Sequence, residues 1–159
     1  MKKSYLISLL ALLCACGGPS AKEAAFTKEA LGHHEAAMAA EKQVKELMAE
    51  LGKLKPALAS LKDSLAADPD RLAKATQALE TMDKAEADFA AWAKTIVEVP
   101  GHEHQHEHGQ GHDHDHDHTP VQATPEQMVA IQREIKDNAV RIKDLATSAV
   151  AMANQALNQ

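Results

Sequence analysis

The chain has 159 residues, of which 45% are hydrophobic and 25% charged, and its 17 Lys and Arg against 23 Asp and Glu give a formal charge of −6. That acidic balance argues against nucleic acid and against anionic membrane surfaces as partners. Aromatic residues are only 3% of the chain and alanine is abundant, which favours packed helices with close axes over a sheet.

The first element is a leader. "MKKSYLISLLALLCACGGPS" opens with two lysines, continues with an apolar run from Tyr5 to Leu13, and ends in small residues and cysteines. This is the pattern of a secretory signal, too short to remain as a membrane-spanning helix. The segment Leu13-Cys14-Ala15-Cys16 resembles the lipobox of bacterial lipoproteins, with an aliphatic residue at −3 and a small one at −1. Cys14 fits the modified position poorly, because Leu13 would then stand at −1. The resemblance implies a signal peptide over residues 1–15, lipidation of Cys16 and a tether over 16–23, and several acyl chains would suffice for stable anchoring. The alternative is an ordinary secreted protein with a chance cysteine. After cleavage Cys16 is the one cysteine left, so an intramolecular disulfide, a free thiol nucleophile and a thiolate metal site are all excluded. Of the 17 basic residues Lys2 and Lys3 fall in the leader, so 15 face the 23 acidic ones. Gly17 does not resemble the enterobacterial inner-membrane retention signal, which favours the outer membrane.

A helix is expected over about 24–66. Positions 30, 33, 37, 40, 44, 47, 51, 54, 58, 61 and 65 read Ala, His, Ala, Ala, Val and then six Leu, with steps alternating between 3 and 4 as in a coiled-coil seam. Gly52 and Pro56 weaken its middle, and Pro56 removes one backbone hydrogen bond. The phase carries through both, so one long kinked helix is expected, with a break at 52–56 as the alternative. Asp68 and Pro69 then supply a cap and a first-turn proline for a second helix over about 69–97. Its expected seam is Leu72, Ala75, Leu79, Met82, Glu86, Phe89, Ala93 and Ile96. The third helix, 124–157, opens with the capping box "TPEQ", and its expected seam is Met128, Ile131, Ile135, Asn138, Ile142, Leu145, Ala149, Met152 and Ala156. These elements predict an all-α fold: an antiparallel three-helix coiled-coil-like bundle. Residues 24–98 form its helical hairpin. A disordered His-rich loop, 99–123, joins the second and third helices and is longer than usual connections.

"HHEAAM" on the first helix and "LETMDKAEADFAAWAK" on the second resemble small helical lipoproteins of Bacteroidota labelled "viral A-type inclusion protein". His33, His34, Glu35 and Met38 match a His-acid pair followed by Met. Ala85, Glu86 and Trp92 match an Ala-acid…Trp run. The chain departs from that pattern in having Ala90 and Ala93 where a Met pair is usual, and in its His tract. The resemblance implies a helical bundle and an envelope location. It implies no activity.

The tract is "GHEHQHEHGQGHDHDHDH", residues 101–118, which holds eight of the chain's ten histidines. His102, His104, His106 and His108 alternate with Glu103, Gln105 and Glu107. His112, His114, His116 and His118 alternate with Asp113, Asp115 and Asp117. Neutral imidazole is the commonest metal ligand, and a flexible run can bring two or three nitrogens onto one ion while Asp113, Asp115 or Asp117 adds an oxygen. Copper, nickel and zinc rank above manganese and magnesium for such donors. Zn(II) is favoured because it suits mixed N/O shells without a d-electron preference, with Cu or Ni next. The tract resembles, in composition, the His-rich loops of zinc- and nickel-handling proteins. Many equivalent ligand sets exist, so heterogeneous multi-ion buffering or capture is expected rather than catalysis. A solvated linker and a pH sensor are the competing readings.

A sharper expectation concerns the bundle end below the tract. Counting levels from the turns places His34 and Met38 near residues 99–103, and Met128 near Lys94. His33 or His34 could then join Met38 and Met128 in an ordered cap or a metal site, a His/Met set that suits copper, above all Cu(I). The plainer account is that methionine fills core gaps and a seam histidine is hydrogen-bonded. Glu86 and Asn138 interrupt their seams at one level, near Leu51, and are expected to form a polar layer that fixes register, with Lys or Arg nearby, and Trp92 is expected to be a core or groove anchor.

No Ser/His/Asp spacing, HExxH, phosphate loop or reactive cysteine appears, so no enzyme is expected. Two functions follow. One is a lipid-anchored envelope protein, at the membrane through its anchor alone, that binds metal ions. The other is an interaction lipoprotein whose helices contact a protein partner or a second copy, with the His loop as linker or pH-responsive element.

Overall fold

The computed structural model describes residues 20–64, 68–101 and 121–158, and no strand occurs among them. Three helices form, α1 over Ala21–Ser64, α2 over Pro69–Ala93 and α3 over Pro125–Leu157. The expected all-α three-helix bundle is therefore the fold. Among the described residues no helix is long and apolar enough to cross a membrane.

Each helix starts at a side-chain cap. α1 begins three residues before the expected position because Ser20-Ala21-Lys22-Glu23 is itself a capping box. The Ser20 hydroxyl accepts the Glu23 N–H at 3.2 Å, and the Glu23 carboxylate accepts the Ser20 N–H at 2.6 Å. The Ser20 backbone bond first, and its hydroxyl second, pull the Glu23 carboxyl below its ordinary range. α1 then runs unbroken through Gly52 and Pro56. Both residues are exposed, so water can serve the Gly52 carbonyl that Pro56 cannot donate to. Asp68 accepts the Arg71 N–H at 3.1 Å to start α2, with Pro69 in the first turn. Thr124 and Gln127 cap α3 reciprocally, at 3.3 and 2.8 Å.

α2 stops at Ala93, short of the expected 97. The Thr95 N–H and hydroxyl both bond the Trp92 carbonyl, at 2.8 and 2.7 Å. The following Ile96-Val97-Glu98-Val99 is rich in β-branched residues, which lose rotamer freedom in a helix. Gly101 closes the segment at φ 80, a conformation that suits glycine.

Register follows from the contacts. α1 and α3 advance together: His34 meets Gln132 near one end, while Leu51 and Leu58 share a cluster with Ala149, Ala153 and Ala156 further along. Along α2 the order reverses, since Trp92 reaches Ile135 whereas Thr81 reaches Met152. The largest interface is between α1 and α3, and the smallest between α1 and α2.

The core has three successive layers. The first packs Leu51, Leu58 and Met82 among alanines of α2 and α3. The middle one centres on Val44, Trp92, Ile135 and Ile142. The last, at the start of α1, gathers Ala30, Val99, Met128 and Val129 with Phe26 and Ala123 at its edge. Full burial of each large side chain contributes about 1.5–3 kcal/mol. The expected 3/4 repeat is present: α1 buries the expected Ala30, Ala37, Ala40, Val44, Leu51 and Leu58, and α3 the expected Met128, Ile135, Ile142, Ala149 and Ala156, while the alternate seam positions of α2 and α3 shift by one residue. α2 buries Ala75, Ala78, Met82, Ala85 and Trp92, while Leu72, Leu79 and Phe89 pack from the sides. In α3, Ala139, Ala146 and Ala153 are buried where Asn138, Leu145 and Met152 were expected. Small residues take the central line because interaxial distance depends on the side chains at the contact.

Candidate functional site

The expected ligands His102, His104, His106, His108, His112, His114, His116 and His118, with Asp113, Asp115 and Asp117, lie outside the described residues, as do the leader and Cys16. The two ends of that stretch are described. Val99 is buried and Ala123 packs against the same end cluster, together with Phe26 from the first turns of α1. Val99 and Ala123 therefore meet at the end of the bundle where α1 begins.

Just below that end sits a buried polar cluster. His34 is fully buried, and so is Gln132 of α3. His34 Nδ1 lies 3.2 Å from Gln132 Oε1, and Gln132 Nε2 donates to the Val97 carbonyl at 2.7 Å. The Val97 carbonyl can only accept, so the amide nitrogen of Gln132 must face it. The amide oxygen then faces His34, and Nδ1 must carry the proton. Met128 Sδ lies 3.7 Å from the same Gln132 Nε2. On its other edge, His34 Nε2 is 3.6 Å from Glu98 Oε2, whose side chain is 30% exposed. His34 thus touches both sides of the segment that follows α2, through Gln132 to Val97 and directly to Glu98.

His33, placed on the seam by spacing, is instead partly exposed beside it. Arg133 Nε approaches His33 Nε2 at 3.5 Å, and Arg133 also pairs with Glu29 at 3.0 Å. Met38 packs in the middle layer with Trp92, and Met128 in the end layer with Val99. The four residues of the expected cap are therefore distributed: His34 and Met128 are joined through Gln132, His33 faces the surface and Met38 lies one layer deeper. Among the described residues no three His, Cys, Asp or Glu side chains are grouped to hold a metal ion. Gln132 escaped the sequence reading because the chosen phase put Ile131 on the seam, although a glutamine one step aside, four residues from Met128, was the available signal.

Of the pair expected in a polar layer, Glu86 is met by a lysine of α1 and Asn138 is half-buried. Glu86 and Asp83 both hold Lys55 of α1, each at 2.7 Å. Those bonds, Asp83 first and Glu86 second, push the Lys55 ammonium above its ordinary range. Trp92 does anchor the core: its indole N–H donates to the Ile135 carbonyl at 2.9 Å, and its ring stacks on Phe89. A groove of about 540 Å³ between α1 and α3 is lined by Gln43, Glu46, Glu50, Lys143, Asp144 and Thr147, with Leu47. Its walls are mostly polar, unlike the apolar lining of small-molecule sites.

Comparison of the chain with protein-family models, with curated proteins and with solved structures gives no match.

Proposed function

We propose that the protein is a lipid-anchored component of the bacterial cell envelope that binds divalent transition-metal ions through the histidines of residues 102–118. Zn(II) is the favoured ion, with Cu or Ni next, and the role is buffering, capture or transfer. The observation that carries this reading is the alternation of eight histidines with Glu, Gln and Asp in eighteen residues. A linker needs acids, Gly and Gln; it does not need imidazole at every second position.

What supports the reading in the bundle is that buried Val99 and packed Ala123, the described residues before and after that stretch, meet at one end of it. That end is also the one from which Ser20 leads back to Cys16. Lipidation of Cys16 would hold the tract close to the bilayer surface, with the first and middle core layers pointing away.

Replacing the eight tract histidines with asparagine, while keeping every acid, tests the assignment. Equilibrium dialysis against Zn(II) should show several ions bound to the parent chain and almost none to the variant. Equal uptake by both would remove the tract from the chemistry and leave an interaction lipoprotein with a solvated linker.

A further inference from the structure

We propose that the end of the bundle where α1 begins is a seat for a zwitterionic bilayer surface, on which Lys22, Phe26 and Val121 rest so that the helices stand upright. The proposal rests on one part of the reading above, lipidation of Cys16, and not on metal binding. Two observations lead there. The first is the reach of the chain. Gly17, Gly18 and Pro19 separate Cys16 from Ser20, which caps α1. Whatever their arrangement, the steps from Cys16 to Ser20 span at most about 14 Å. An acylated Cys16 therefore keeps the first turn of α1 within that reach of the headgroups. The second observation is what that turn presents. The His34–Gln132 pair places α1 and α3 level at an offset of 98 residues, so Pro125 stands level with Thr27. Residues 21–26 of α1 project beyond the start of α3 by about 9 Å.

On these projecting turns Ala21, Ala24 and Ala25 are exposed. Lys22 Nζ sits 5.4 Å from the centroid of the half-buried Phe26 ring. That pair is an apolar body under a charged tip, which is how aromatic and lysine side chains anchor at a headgroup boundary. Val121 is 39% exposed and leads into Ala123, which packs in the same end layer as Phe26. The charges on the first turns of α1 and α3 are of both signs, Lys22 and Lys28 beside Glu23, Glu29 and Glu126. Such a mixture suits zwitterionic headgroups and gives no pull toward an anionic leaflet. The flank of the bundle differs, since α1 exposes Lys42, Lys45, Glu46, Glu50 and Lys53 there. Pressing those charges against lipid costs their hydration. The seat sets orientation rather than affinity: the acyl chains supply the binding, and the short tether lets a weak contact count.

The test couples Cys16 of the mature chain to a maleimide-bearing lipid in phosphatidylcholine vesicles. Two variants each add one indole at an exposed valine. Val121→Trp adds it at the end face, and Val140→Trp adds it on the side of α3, where Val140 is 38% exposed. Both offer lipid the same ring, so a difference between them reports orientation and not the affinity of tryptophan for the interface. Brominated phosphatidylcholine quenches whichever indole meets the bilayer, and the parent, whose Trp92 is 4% exposed, supplies the background. Val121→Trp should lose most of its added emission, and what remains should shift to shorter wavelength. Val140→Trp should keep the emission it has without vesicles. No quenching in Val121→Trp, or equal or greater quenching in Val140→Trp, would overturn the seat. Both substitutions fall at exposed positions, so the helical circular dichroism of each variant should match the parent. The coupling is chemical, so these results stand apart from whether cells acylate Cys16, which the mass of the N-terminal peptide from cells decides.

Discussion

The indole N–H of Trp92 on α2 donates to the main-chain carbonyl of Ile135 on α3 at 2.9 Å. The bond pins the middle layer where a large aromatic is buried among Val44, Ile135 and Ile142, with Phe89 stacked on the same ring. Trp92→Phe keeps most of the apolar area and removes the donor, so urea unfolding followed by circular dichroism should show a loss of about 1 kcal/mol. Trp92→Ala empties the layer and should cost about 3–5 kcal/mol. Equal losses for both variants would mean that the hydrogen bond, not the packing, dominates.

Lys55 bridges α1 to Asp83 and Glu86 on α2, and the two carboxylates hold its charge above the ordinary lysine value of 10.5. A raised value means the stabilisation is complete below pH 10.5 and is lost as pH climbs through the folded-state value. The wild-type chain should therefore lose stability more steeply than Lys55→Gln above that pH. The side chain is 35% exposed, so the substitution should cost under about 1 kcal/mol at neutral pH. Parallel profiles for the two chains in alkali would show that the bridge adds nothing.

Ala149 is fully buried beside Leu51, whereas Ala151, two residues on, is exposed. Ala149→Leu should overpack the α1–α3 contact and cost about 1–3 kcal/mol. Ala151→Leu should change stability by no more than about 0.5 kcal/mol. Thermal melts of the pair measure how tightly alanine sets the spacing of the two helices.

Those alanines also explain what was legible in the sequence and what was not. The alternating 3/4 steps identify three helices, and Asp68-Pro69 and Thr124-Pro125 mark two starts that the structure keeps. The phase was harder to read. Following the largest apolar residues put Leu72, Leu79, Glu86 and Ile96 on one seam. The bundle instead turns α2 by about one position, so that Ala78, Ala85 and Trp92 lead and Glu86 moves out to Lys55. The same weighting chose His33 over His34, since either continues a 3.6-residue repeat through Ala30 and Ala37. Hydrophobicity ranks alanine low, but close packing ranks it first. The candidate cluster was legible only as a place, the end of the bundle near the tract. Its chemistry depends on Gln132 and Glu98, which no local spacing ties to His34.

Gly52 lies in the exposed middle of α1, and a methyl group built on it would meet nothing within 4 Å. Its flexibility is therefore unused, and Gly52→Ala should stabilise the bundle by about 0.5–1 kcal/mol. A melting temperature that stays the same or falls would indicate that α1 needs a weak point near Pro56.

The central claim is metal capture by the His tract, and it is tested most directly by calorimetric titration of Zn(II), Cu(II) and Ni(II). The partners are the lipid-free mature chain and the same chain lacking residues 102–118. The account predicts binding of several ions at about micromolar Kd or tighter, worth about 8 kcal/mol per site, and its loss with the deletion while the helical signal is unchanged. Heat signals that are absent from the parent, or that survive the deletion undiminished, would contradict it.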